Sequence, residues 1–120
     1  MSILVIAGSL DHQNYIAQIL ENQGYTQIKL CRSGYDTVKY VQSHWTDIDL
    51  IISDSTVSYL HVMELCRLST NLGIPLITIA DAKNHERYDQ TVLNRIVALL
   101  ATPIESSVLS TTVERALGME

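Results

Sequence analysis

The chain has 120 residues, 47% of them hydrophobic and 18% charged, with a formal net charge of −5. That length suits one domain, spanning residues 1–120, that buries a core without staples, and the balance excludes a disordered segment. No Lys/Arg cluster stands against the acidic total, so a nucleic-acid surface is excluded, and no stretch approaches the roughly 18 apolar residues of a membrane span.

The chain opens on "MSILVIAGS", whose run "ILVIA" (3–7) predicts a first strand. The run is too short for a signal peptide and has no basic segment before it, so a cytoplasmic protein is expected. Gly8 and Ser9 follow at a strand–helix turn, where helix N–H groups attract anions. The turn lacks the glycines of a dinucleotide fingerprint and the lysine of a P-loop, which leaves a tight turn as its expected role. In "DHQNYIAQILENQG" a helical stripe runs through Tyr15, Ile16, Ile19 and Leu20, with Asp11 as the expected N-cap and Gly24 as the stop.

"TQIKLC" (26–31) alternates more and predicts an edge or near-edge strand. "GYDTVKYVQSH" places Tyr35, Val38 and Val41 on one side of a second helix. "LIIS" (50–53) predicts a third strand, closed by Asp54. "YLHVMELCRLST" carries Val62, Leu65 and Cys66 at helical spacing, and "PLITIA" (75–80) predicts the fourth strand. "NHERYDQTVLN" predicts a fourth helix through Tyr88, Val92 and Leu93. "IVALLA" (96–101) predicts a fifth strand, and "IESSVLSTTVERAL" a fifth helix through Val108, Leu109, Val113, Ala116 and Leu117.

Apart from "TQIKLC", the strand runs are rich in Ile, Val and Leu without polar alternation, as in strands covered on both faces. Strand–helix repeated five times predicts an α/β fold, a doubly wound parallel sheet in the flavodoxin-like order 2-1-3-4-5. Ligand sites in such sheets form beyond the carboxyl ends of the strands, at the switch point between strands 1 and 3. The loops after Ala7, Ser53, Ala80 and Ala101 are therefore the ones to interrogate.

The scattered chemistry supports little else. Cys31 and Cys66 show no C-x-x-C and no neighbouring histidine, and read as small buried hydrophobes in a reducing compartment. His12, His44, His61 and His85 form no metal-binding spacing. The six tyrosines are dispersed as packing residues, not as a stacking platform.

With this alternation, "DLIISD" ending in Asp54, "CRSGYDTVKYV" after strand 2, "IPLITIADA" at strand 4 and "ATP" after strand 5 resemble the receiver domain of bacterial two-component response regulators. The resemblance covers essentially the whole chain. It implies a signalling module, not an enzyme, with Asp54 as the phosphoacceptor candidate. Its implied partners are a histidine kinase, a phosphotransfer protein or an output protein, with a homodimer as a further option. It also implies a cis bond between Thr102 and Pro103, since X-Pro makes cis accessible at about 0.5–1 kcal/mol.

The departures from the family pattern weigh more. The two acidic residues that bind Mg²⁺ after strand 1 fall on Ala7 and Gly8. The hydroxyl that contacts the phosphoryl group falls on Ala80, the lysine on Thr102, and the aromatic switch residue on Leu99. Phosphoryl transfer is catalysed by positioning and by neutralising charge, and each lost stabilising donor costs about 3 kcal/mol. A degenerate, or pseudo-, receiver without a cofactor is therefore expected, acting by protein–protein contact.

In that case Asp54 braces the following "STVS" loop, and Asp11 caps its helix in preference to leaning back as a displaced metal ligand. The alternative is a receiver still phosphorylated on Asp54 with Mg²⁺ bound, and the third option a small flavodoxin-like ligand-binding protein or enzyme. The expected docking surface is the family's face of helix 4, strand 5 and helix 5, with Tyr88 and Leu99 as apolar anchors among Arg87, Asn94 and Arg95.

Overall fold

In the computed structural model, the structure describes residues 1–54, 59–81 and 93–118. Five parallel strands alternate with helices: β1 (Ser2–Ile6), α1 (Leu10–Asn22), β2 (Gln27–Cys31), α2 (Gly34–His44), β3 (Leu50–Asp54), α3 (Tyr59–Leu72), β4 (Leu76–Ala80), β5 (Ala98–Ala101) and α4 (Ser106–Ala116). A short 3₁₀ turn, Trp45–Asp47, follows α2. The strand order is β2-β1-β3-β4-β5, the doubly wound arrangement. Four α-helices lie among the described residues; most of the fourth predicted helix, with Arg87 and Tyr88, lies outside them.

The strands divide their side chains by the period of two. Leu4, Ile6, Ile51 and Leu76 pack with Val41 of α2 and with Leu65 and Cys66 of α3. Ile3, Val5, Leu50, Ile52, Ile77 and Ile79 pack with Ile16, Ile19 and Leu20 of α1 and with Leu109 and Val113 of α4. Among the described residues each sheet face carries two helices, and this cover on both sides explains why the central strands read as unbroken apolar runs. β2, at the sheet edge, is largely exposed along its length.

Three expectations about the helices are corrected. Ser9, not Asp11, caps α1: its hydroxyl accepts the His12 N–H at 3.4 Å, and the helix already begins at Leu10. Asp11 is the second helical residue, where its charge favours the positive end of the helix dipole without closing the first turn. The inward line of α2 runs through buried Thr37 and Val41, spaced i to i+4, which leaves Tyr35 off that line and 72% exposed. Tyr15 and Val108 likewise lie on the shoulders of their helices and are exposed.

No helix among the described residues is long and apolar enough to cross a membrane. Cys31 and Cys66 are free and buried.

Candidate functional site

The switch point between β1 and β3 brings together residues that the sequence keeps apart. Ile6 pairs with Ser53 across the ladder, so the first turn of α1 begins directly beside the end of β3. His12, in that turn, reaches down to Asp54: its Nδ1 donates to Oδ2 at 2.6 Å. The Asp54 carboxylate is fully buried, while the His12 side chain is 40% exposed. Gln13, the next residue, turns the other way, and its Nε2 donates to the Cys31 carbonyl at the end of β2 at 3.3 Å. One helical turn thus ties the ends of β2 and β3 together.

The positions around Asp54 carry little charge. Ala7 and Ala80 are fully buried and apolar. The Ala7 N–H donates to the Cys31 carbonyl at 3.0 Å, continuing the β1–β2 ladder, and the Thr102 N–H donates to the Ala80 carbonyl at 3.3 Å. The peptide bond between Thr102 and Pro103 is cis. A cleft of about 370 Å³ opens beside His12, lined by Asp11, Tyr15, Thr102, Pro103 and Ile104. The Tyr15 hydroxyl closes one wall by donating to the Ile104 carbonyl at 2.9 Å.

This arrangement can neutralise and fix a buried carboxylate, because a buried charge needs a hydrogen-bonded partner. It can equally orient an imidazole toward the cleft, since a carboxylate on one ring nitrogen fixes the tautomer. It does not fit Mg²⁺. That ion prefers octahedral oxygen ligation, commonly with one or two carboxylates beside waters. Here Asp54 already holds an imidazole, and no group of three His, Cys, Asp or Glu side chains suited to a metal occurs among the described residues.

Ala7 and Gly8 follow β1, Ala80 ends β4 and Thr102 follows β5, so all four lie at the same carboxyl edge of the sheet as Asp54. The "STVS" loop that Asp54 was expected to brace lies outside the described residues. Leu99 of β5 is half-buried and packs against the core, and Arg95 is exposed. His12 is the residue at the candidate site that pattern reading misses, since it belongs to no metal or catalytic spacing. The available signal was topological: the first turn of helix 1 and the end of strand 3 meet at the switch point in this strand order.

No protein-family model matches the chain, and no curated protein matches it in sequence. Solved structures do match. A response regulator receiver domain protein from Clostridium thermocellum superposes with a TM-score of 0.85 at 18% identity, covering 98% of this chain and 94% of that one. The receiver domain of NtrX from Brucella abortus gives 0.82 at 18% identity, covering 99% and 100%. A two-component response regulator from Clostridium difficile gives 0.78 at 20% identity, covering 98% and 96%. The chain has the fold of response regulator receiver domains.

Proposed function

We propose that the chain is a receiver-type signalling module that works by contact with another protein, with Asp54 held by His12 instead of cycling through an aspartyl phosphate. The observation that carries this reading is the 2.6 Å contact between His12 Nδ1 and the buried Asp54 carboxylate. The imidazole there donates a hydrogen bond to the carboxylate and occupies one of its two oxygens. The flanking positions Ala7, Gly8, Ala80 and Thr102 offer neither a second carboxylate nor an ammonium group to neutralise a transferring phosphoryl group.

In this reading the partner is a signalling protein such as a histidine kinase, a phosphotransfer protein or an output protein. The module is not an enzyme.

The test is incubation with Mg²⁺ and either acetyl phosphate or beryllofluoride, followed by intact-mass and amide chemical-shift measurements. The expected result is an unmodified mass and unchanged shifts around Asp54. A stoichiometric phosphoryl adduct on Asp54 overturns the reading in favour of a working phosphoacceptor.

A further inference from the structure

Along the β2 edge of the sheet, three of the chain's eight lysine and arginine residues converge on one cleft. Lys29, Arg32 and Lys39 line a cavity of about 470 Å³ between β2 and α2, with Asp36 as the acidic residue of its lining. The cavity is of the size that holds small-molecule ligands, which is roughly 300–1,000 Å³. Three cations against one carboxylate leave an excess of two positive charges in a chain whose total is −5. Neither Lys29, Arg32 nor Lys39 is within ion-pair distance of a carboxylate among the described residues.

The same cleft holds a ring platform. Tyr40 and His44, one turn apart on α2, stack with centroids 4.3 Å apart and planes 14° from parallel. His44 Nδ1 donates to the Tyr40 carbonyl at 3.2 Å, which fixes the ring. Tyr40 packs against the core on its inner side, while His44 is exposed and its outer face is open. Lys29 Nζ lies 5.2 Å from the Tyr40 centroid, so its charge is drawn over the aromatic wall. The strand edge adds a donor. The Cys31 carbonyl points to β1, where it accepts from Ala7, so by alternation the Leu30 N–H faces the open edge.

From this juxtaposition we infer that the β2–α2 cleft binds a small ring-bearing phosphate ester of the nucleoside monophosphate class. A phosphomonoester carries about −1.5 to −2 charges at neutral pH, which complements the excess of two. The Arg32 fork and the Lys29 ammonium suit its oxygens, Lys39, whose Nζ lies 5.8 Å from the Tyr35 ring centroid, adds positive charge from the wall, and the outer face of His44 suits a planar base. Asp36 at the rim can accept from a ligand hydroxyl or amine.

Three other accounts explain less. Charged side chains on edge strands block unwanted strand pairing. That covers Lys29 but neither Arg32 nor Lys39, which lie outside the strand. An acidic peptide added along β2 would run past Gln27 and Ile28, which carry no cation, and a nucleic-acid polyanion would meet the net negative charge of the whole chain.

Trp45, the single tryptophan, follows His44 directly and is partly exposed, so its fluorescence serves as one readout. The experiment titrates the full chain with AMP, following Trp45 fluorescence and amide shifts, with inorganic phosphate, adenosine and a short DNA strand as comparison arms. Saturable AMP shifts confined to residues 29–45, at least about tenfold weaker binding of phosphate or adenosine, and at least about tenfold weaker AMP binding in a K29Q/R32Q variant with an unchanged melting curve are expected. H44A is expected to weaken AMP but not inorganic phosphate. Absence of AMP saturation, equal binding of AMP and phosphate, tighter binding of DNA than of AMP, or unchanged affinity in K29Q/R32Q overturns the assignment.

Discussion

His12 and Asp54 lie 42 positions apart in the sequence, yet their side chains meet at 2.6 Å where β1 hands over to β3. Their exposures differ sharply, with the carboxylate sealed and the imidazole reaching solvent. The pair therefore acts as a lid on a buried charge. Removing the imidazole takes from the buried Asp54 oxygen the hydrogen bond it accepts from His12. Removing the carboxylate leaves a histidine that water can still solvate.

That asymmetry gives the first prediction. His12→Ala is expected to destabilise the fold by about 2 kcal/mol, the range for a hydrogen bond to a charged group, tempered by the exposure of the ring. In an Asp54→Asn background the same change is expected to cost less, because an amide oxygen accepts a weaker hydrogen bond than a carboxylate oxygen. Urea unfolding of the two single variants, the double variant and the parent measures the coupling. Additive effects would show that the contact carries no energy of its own.

A second prediction concerns the positions around the pair. Ala7→Asp, Gly8→Asp and Thr102→Lys together restore a carboxylate pair and an ammonium group around Asp54. Without metal the variant is expected to melt below the parent, since Ala7 is fully buried and a carboxylate there crowds Asp54. Mg²⁺ at ten times its dissociation constant is then expected to return about 1.4 kcal/mol, while leaving the parent unmoved. Melting curves with and without Mg²⁺ decide it. A parent that responds as strongly as the variant contradicts the account of the site.

How much of this was legible beforehand varies by level. The sheet order followed from runs such as Ile51-Ile52 and Ile77–Ile79, because strands covered on both faces admit few polar residues. Asp54 was visible because a carboxylate closing such a run is conspicuous. His12 was not, since a histidine in a helix's first turn carries no local signature; only the strand order places it over β3. The cleft at β2 was hidden for a related reason. Lys29, Arg32 and Lys39 are too widely spaced to form a charge run, and one strand–helix turn folds them together.

The capping of α1 supplies a third prediction, on a point where composition misled. Asp11 has the chemistry of a cap, but the helix starts two residues too early for it to serve. The Ser9 hydroxyl accepts from His12 N–H instead. Ser9→Ala is expected to cost about 1 kcal/mol, and Asp11→Ala only the smaller contribution of a charge near a helix N-terminus, about 0.5 kcal/mol. Because His12 sits in the turn that Ser9 closes, Ser9→Ala is also expected to broaden the His12 ring resonances. Thermal unfolding ranks the two variants, and a larger loss from Asp11→Ala would restore the aspartate as the cap.

The fourth prediction concerns the thiols. Burial pushes both Cys31 and Cys66 above the ordinary thiol value of 9.0, with nearby cations opposing the shift only in part. A group whose folded value is raised stays protonated in the native state after the unfolded chain has begun to release its proton. The native state then holds more protons, and stability falls as the pH climbs. The contribution of these two groups is therefore complete below pH 9.0 and is lost as the pH rises through their folded values. Because the thiolate is the reactive form, both cysteines are expected to react slowly with a disulfide reagent near pH 8 and quickly once urea unfolds the chain. Rapid stoichiometric labelling of the native protein at that pH would mean that the strand end at Cys31, or the α3 face at Cys66, opens far more readily than its packing implies.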